Sequence, residues 1–177
     1  AVLGEMRFTL AAGAWRQLNR VLDLVGVTAA PGLYAEVSAE GAAGARLAVY
    51  ASLVDNATGD PTYLAAQQPQ ASGDLIVPVA AHNPGQAGTQ WVTDLALVNW
   101  TGGDGMTCDV DLLADGVANH PAPFASASFQ LGALDQLVLP DVILAEFGES
   151  RRKGALAIEA AGTAAWFAER ARMEERV

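Results

Sequence analysis

The sequence predicts an all-β fold of the sandwich or barrel type, with one or two short helices. Five segments alternate apolar and polar residues with a period of two, as expected when successive side chains point to opposite faces of a strand. Clusters rich in Gly, Pro, Asn and Asp, such as "DNATGDP" and "HNPGQAG", separate them. Many short strands joined by such turns are typical of sandwiches and barrels. The predicted strands are 46–54, 74–80, 89–100, 107–113 and 124–131.

Two other segments, 18–26 and 139–148, depart from this pattern. Both carry apolar residues at helical spacing, and both end in glycine. They are predicted to form single helical turns or short helices, with Gly26 and Gly148 as the C-terminal stops.

Composition limits the class of protein and its partners. Half of the 177 residues are hydrophobic and only 17% are charged, which indicates a folded chain with a sizeable core. No apolar run reaches the length of about 18 residues that a membrane-spanning helix needs, so we expect no membrane insertion. The 20 acidic residues outnumber the 10 basic ones, and this charge opposes binding to nucleic-acid phosphates.

The two helical segments belong to an internal repeat. Its length is about 120 residues, and the chain starts in the middle of one repeat unit, which means that it is out of phase with the repeat. We therefore expect 1–66 to be the C-terminal half of one repeat unit, 67–74 a linker, and 75–177 the following unit. The alignment places 8–26 on 129–148, 33–41 on 154–162 and 46–52 on 164–170, with Phe8 on Phe129, Leu18 on Leu139, Val21 on Val142, Leu22 on Ile143 and, after one inserted residue, Gly26 on Gly148.

This phase has a physical consequence, because half a unit alone exposes strand edges that can pair with other strands. The two parts either pack as a single sandwich or are completed by another chain.

The start "AVLGEMRF" has neither an initiator Met nor a signal-like segment, so we interpret the chain as a piece of a longer protein. Residues 164–172 are interpreted as a strand from the repeat, although their Ala, Glu and Arg content favours a helix.

Three motifs carry a resemblance to a known family. They are "VYASLVDNATGDPTYL" (49–64), "VPVAAHNPGQAGTQWVTDLALVN" (77–99) and the strand–short helix–Gly–strand run 129–159. Together they resemble a repeated module of bacterial secreted and surface proteins. The resemblance implies an immunoglobulin-like β-sandwich without activity of its own, located outside the cell or at its surface. Its implied partners are neighbouring domains of a longer parent chain or identical subunits.

The polar segment "DNATGDP" is the one candidate metal site. Asp55, Asn56 and Asp60 could supply oxygen ligands to calcium, the one cofactor that the sequence suggests. Their spacing does not match the EF-hand pattern. Turn chemistry explains the same residues, because Asn and Asp tolerate left-handed backbone, Gly59 supplies positive φ, and Pro61 restricts the residue before it. We favour the turn.

No set of base, nucleophile and orienting residue stands out, so we predict that the chain is not an enzyme. His82 is interpreted as a loop histidine that bonds backbone groups, and His120 lies in an unrelated loop. Ser126 and Ser128 lie in a predicted strand, without the G-x-S-x-G turn of a hydrolase nucleophile.

The remaining candidate residues are aromatic or sulfur-containing. Cys108 is predicted to be a small buried apolar side chain. The four tryptophans are predicted to be mostly packing residues, with a sugar-stacking platform as the alternative; they are Trp15, Trp91, Trp100 and Trp166.

The sequence therefore predicts a non-catalytic structural or adhesive module of an exported bacterial protein. Two alternatives remain open. One is a self-assembling, filament-type subunit completed by strand exchange. The other is a calcium- or carbohydrate-binding module.

Overall fold

Strands dominate the computed structural model, which describes residues 2–28, 33–41, 46–54, 59, 61–66, 75–103, 105–161 and 165–175. The chain divides into two compact units, Ala1–Tyr34 and Ala35–Val177. Within the described ranges the all-β prediction, with two short helices, is confirmed. The elements are α1 (Val21–Leu24), β1 (Tyr50–Val54), β2 (Pro61–Ala65), β3 (Leu75–Pro84), β4 (Thr89–Asn99), β5 (Met106–Ala114), β6 (Ala125–Leu131), β7 (Gln136–Leu139), α2 (Val142–Ala145), β8 (Arg152–Ala161) and β9 (Ala165–Glu175).

Seven of these strands form one connected antiparallel sheet in the second unit. Its order is β6-β5-β8-β3-β4-β7, and β9 pairs with β4 along the whole length of β4. The period-two pattern of the sequence is visible in β5, where every second side chain from Met106 to Ala114 is buried. The predicted strand at 164–172 is confirmed from Ala165 onward, and it continues to Glu175.

Strand β3 belongs to two parts of this sheet. It pairs with β8 as far as His82 and then with β4 at Asn83 and Pro84. Its register with β8 shifts between Val77 and Ala80, around Pro78, which has no N–H to donate. The sheet therefore has two parts, β6-β5-β8-β3 and β7-β4-β9, which meet where β3 changes its partner from β8 to β4.

One buried apolar cluster takes side chains from both parts of the sheet and from α2. This arrangement is sandwich-like, because apolar faces of both parts contribute to a shared core. All members come from the sequence after the predicted linker, and 67–74 itself lies outside the described residues. The cluster consists of Val77, Ala80, Leu95, Leu97, Met106, Cys108, Val110, Leu112, Leu131, Leu139, Val142, Ile143, Leu156 and Ile158.

Strands β1 and β2 form a separate antiparallel hairpin. All five residues of β1 are exposed. The rings of Tyr50 and Tyr63 face each other across the hairpin, with centroids 5.6 Å apart. Neither helix of the described chain is long and apolar enough to cross a membrane.

Segments 8–26 and 129–148 contain the same succession of backbone turns. Each has three residues with left-handed φ, and each has a four-residue helix directly after the second of them. A backbone hydrogen bond spans three residues at the start of both, from Ala14 N to Ala11 O and from Asp135 N to Gly132 O. The left-handed residues are Gly13, Arg20 and Gly26 in the first segment and Leu134, Asp141 and Gly148 in the second.

Candidate functional site

The second unit contains a hydrogen-bonded pair of ionisable side chains, the buried His82 and the partly buried Asp141. The Nδ1 atom of His82 lies 2.9 Å from Oδ1 and 2.8 Å from Oδ2 of Asp141. The side chains are only 11% and 22% exposed. Because an ionised carboxylate can only accept hydrogen bonds, the imidazole donates its Nδ1–H to Asp141.

Asp141 reaches His82 because of its backbone conformation. Its φ of 48° is left-handed, a region that Asp tolerates better than most residues. It precedes α2, yet its side chain forms no capping hydrogen bond with that helix, since the carboxylate is bonded to His82 instead. Its backbone N–H donates to Oδ1 of Asp94, at 3.0 Å. Residues from β3, β4 and the start of α2 are thereby linked at one place.

Thr93 adds a second link between β3 and β4. Its hydroxyl oxygen accepts a hydrogen bond from Ala81 N at 2.9 Å and lies 3.3 Å from Ala81 O, to which it can donate. The side chain is almost completely buried. Both bonding capacities of the hydroxyl are thus used by the backbone of the neighbouring strand.

Asn99, at the end of β4, organises the loop between β6 and β7. Its Nδ2 donates to Gly132 O at 2.8 Å, and its Oδ1 accepts from Thr101 N at 2.9 Å and from Thr101 Oγ1 at 2.7 Å. Its backbone N–H donates to Asp135 O at 2.8 Å. The side chain has no solvent exposure, so it holds this loop from inside the fold.

The turn between β3 and β4 accounts for further polar and glycine positions of the motif. Gly85 N donates to Thr89 O at 2.8 Å, and Thr89 Oγ1 donates to Gln86 O at 2.7 Å. A Cβ at Gly85 would clash with Oγ1 of Thr89, and Gly88 has a φ of 82°. The motif "AH-PG--GT-W-TDL-L-N" therefore corresponds to one hairpin with its supporting hydrogen bonds.

A histidine held at Nδ1 by an aspartate is also the arrangement that orients a general base, with Nε2 free to accept a proton from a nucleophile. The hydroxyls considered in the sequence have other partners. Ser126 Oγ donates to Asp111 Oδ1 at 2.6 Å, and Ser128 Oγ donates to Asp109. Thr93 is engaged with β3. In the part of the chain that the structure describes, no cluster of three or more His, Cys, Asp or Glu could hold a metal ion.

The sequence-predicted metal ligands Asp55, Asn56 and Asp60 lie outside the described residues. Between them Gly59 is described, and its φ of 77° agrees with its predicted role in a turn. The calcium prediction therefore remains a prediction.

The aromatic and sulfur-containing candidates have different environments. Trp15 is 82% exposed and is therefore not a packing residue in the described chain, whereas Trp91, at 46% exposed, is half-buried. Trp100 is partly buried, and the side chain of Trp166 lies outside the described residues. Cys108 is fully buried, as predicted. Burial, with a smaller contribution from the charge of Asp109, raises the pKa of its thiol to about 11.

The interpretation of His82 from the sequence was wrong in two respects. The residue lies in a strand, and it bonds a side chain and not the backbone. Asp141 and Asp94 were missed because their partners are distant in sequence. One available signal was the "PDV" run, in which Asp141 follows Pro140 and precedes apolar residues at helical spacing, a position where Asp often starts a helix.

Comparison with known proteins adds no further assignment at this site. The chain matches no protein-family model, no curated protein and no solved structure.

Proposed function

We propose that this chain is a non-catalytic structural module, an immunoglobulin-like β-sandwich from a bacterial protein that is exported to the cell surface or beyond it. The observation that carries the proposal is the link from His82 through Asp141 to Asp94. These contacts join three segments of the fold, and the hydroxyls of Ser126 and Ser128 are bonded to carboxylates of the neighbouring strand and not to His82.

The physical argument concerns the burial of polar groups. A buried histidine and carboxylate without partners would each cost free energy, whereas as a hydrogen-bonded pair they favour one relative placement of the elements that carry them. His82 is only 9% exposed. Asn99 and Thr93 follow the same principle at neighbouring positions of β4. Structural roles thus account for four polar residues of the motif, namely His82, Thr93, Asp94 and Asn99.

The repeated organisation is part of the same proposal. Segments 8–26 and 129–148 share their turns, and this similarity supports an out-of-phase repeat of one structural unit. A chain of such units would act as a spacer or a stalk between other domains of its parent protein. The acidic surface, with a net charge of −10, would keep such an array soluble.

The test compares the natural chain with His82→Gln and Asp141→Asn. We expect both variants to unfold at lower temperature, and we expect all three proteins to leave ester, glycoside and peptide substrates unchanged beyond the rate in buffer. Hydrolysis by the natural chain that both variants lose would contradict the proposal. Antibody labelling of intact producing cells tests the location, since a protein confined to the interior would stay unlabelled.

Self-assembly through strand exchange is the second candidate, and the exposed β1 favours it. Tyr50, Leu53 and Val54 are all about half exposed or more. Light scattering on a sizing column at several concentrations tests it, because a filament-type subunit would grow in mass with concentration whereas a passive module would keep the mass of a monomer.

The calcium- or carbohydrate-binding alternative is tested by thermal unfolding. Calcium that binds only the folded chain would raise the melting temperature with the logarithm of its concentration above the Kd, and EDTA would reverse the rise. Glycans that stack on the exposed ring of Trp91 would raise it for the natural chain and not for Trp91→Ala.

A further inference from the structure

The two segments that share their turns differ sharply in burial. Val142 and Ile143 of α2 are fully buried, whereas the residues aligned with them, Val21 and Leu22 of α1, are 43% and 38% exposed. No residue of α1 is buried. The same local backbone therefore carries a covered apolar face in one copy and an uncovered one in the other.

The buried copy, segment 129–148, shows which strands cover its apolar face. α2 packs against β3 and β4, and β7, which precedes it, pairs with β4 from Leu95 to Val98. The polar contacts point to the same strands, since Asp141 N donates to Asp94 and Asn99 N donates to Asp135 O. The cover of segment 129–148 is thus the β3–β4 hairpin.

We propose that the exposed Val21 and Leu22, together with the partly buried Leu18, form a docking face for a hairpin of the β3–β4 type that belongs to another repeat unit. This inference rests on the proposed repeat organisation and names the partner that it requires. A carboxylate at the position of Asp94 in that hairpin accepts the backbone N–H of Arg20. Apolar residues at the positions of Leu95 and Leu97 cover the docking face.

The charge at the turn defines the partner further. Arg20 occupies the place of Asp141 and forms an exposed ion pair with Asp23, at 2.6 Å. A histidine at the position of His82 would lie next to this guanidinium but would form no ion pair with it, whereas a carboxylate there would form one. The hairpin that fits therefore carries Asp or Glu at that place. A second copy of the present chain does not fit, because it carries His82 and its own β3–β4 hairpin is already covered by α2.

The experiment joins a copy of the proposed partner hairpin to the chain, in place of residues 1–7 in one fusion and in front of Val2 in a second. Because Phe8 aligns with Phe129, a copy of residues 71–128 joined directly in front of Phe8 rebuilds a continuous unit ahead of the natural one. The added copy carries His82→Glu. We expect hydrogen exchange of the amides in 18–27 to slow by at least about tenfold relative to the natural chain, as for a locally stabilised segment.

Three controls make the result specific. Val21→Asp combined with Leu22→Asp leaves the natural chain unchanged, because both side chains are exposed, but removes the protection in the fusion. An added copy that retains His82 gives weaker protection. A second fusion, with the added copy joined through a flexible Gly-Ser linker in front of Val2, guards against a strained junction. The added copy carries Ala in place of its cysteine, so that slow labelling of the natural Cys108 thiol verifies that the natural unit stays folded in every protein.

Equal exchange of 18–27 in the natural chain and in both fusions would overturn the proposal, and so would protection that survives the Asp substitutions. Self-association of the natural chain that these substitutions abolish would also overturn it, by showing that a second copy is the occupant. None of these outcomes depends on hydrolytic activity, so a failure here is distinguishable from a failure of the non-catalytic assignment.

Discussion

Replacement of Asp141 separates three contributions to the stability of the second unit. The carboxylate bonds a buried imidazole, its charge strengthens that bond, and its backbone holds a φ of 48°. Asp141→Asn keeps the shape and the tolerance for left-handed φ but removes the charge. Asp141→Gly removes the side chain without backbone strain, and Asp141→Ala removes it and adds the strain.

The expected losses follow from these differences. A hydrogen bond to a charged group contributes about 1.5–3 kcal/mol, and a left-handed Ala costs about 1–2 kcal/mol. We therefore expect a loss in the free energy of unfolding of about 1 kcal/mol for Asn, about 2 kcal/mol for Gly and about 3–4 kcal/mol for Ala. For a chain of this size each kcal/mol lowers the melting temperature by about 2–4 °C.

The assay is equilibrium denaturation by urea, followed by far-ultraviolet circular dichroism and by the labelling rate of Cys108. Arg20→Ala is the matched control, because Arg20 has a φ of 54° at the aligned position but no buried neighbour in α1. It should change the unfolding of the second unit by less than about 0.5 kcal/mol. Equal losses for Asn, Gly and Ala, or a loss below about 0.5 kcal/mol for Ala, would refute the assigned roles.

Three further predictions concern the core and the sheet. Burial raises the pKa of the Cys108 thiol to about 11, so the folded chain favours the neutral thiol. The stability from this source is present below about pH 9 and falls as the pH rises from about 9 through about 11. The free energy of unfolding of Cys108→Ala should not show this pH dependence. Gly154→Ala places a Cβ against the backbone of Leu113 and should cost about 2 kcal/mol or more in urea denaturation, whereas Gly102→Ala, with open space around it, should be neutral. Asn99→Ala leaves buried backbone groups unpaired and should cost about 3 kcal/mol; an unchanged melting temperature would contradict the role given to this side chain.

The strands could be predicted from sequence because each alternates locally. Strand β5 has this pattern in its purest form, and its bounds differ from the prediction by one residue at each end. Strand β7 was missed, because its apolar residues run directly into those of α2 and the combined run has helical spacing. Its pairing with β4 decides its conformation, and this is a tertiary effect that no local pattern contains.

The candidate site was less predictable for a related reason. His82 and Asp141 are separated by 59 residues, and nothing in the sequence around either residue identifies the other. Asp141 also occupies an N-cap position, but its carboxylate bonds His82 and not the N-terminus of α2. Local capping rules therefore suggest the wrong partner for this carboxylate. Only the placement of α2 against β3 and β4 brings the pair together.

The pairing of β9 with β4 has a consequence for the synthesis of the chain. One edge of β4, from Thr89 to Asn99, is paired with Ala165–Glu175, which is synthesised after the other described strands. A growing chain therefore carries an open edge on its central apolar strand until the last described strand emerges. During that interval the edge can pair with a neighbouring nascent chain, so the time between translation of β4 and of β9 sets the risk of misassembly.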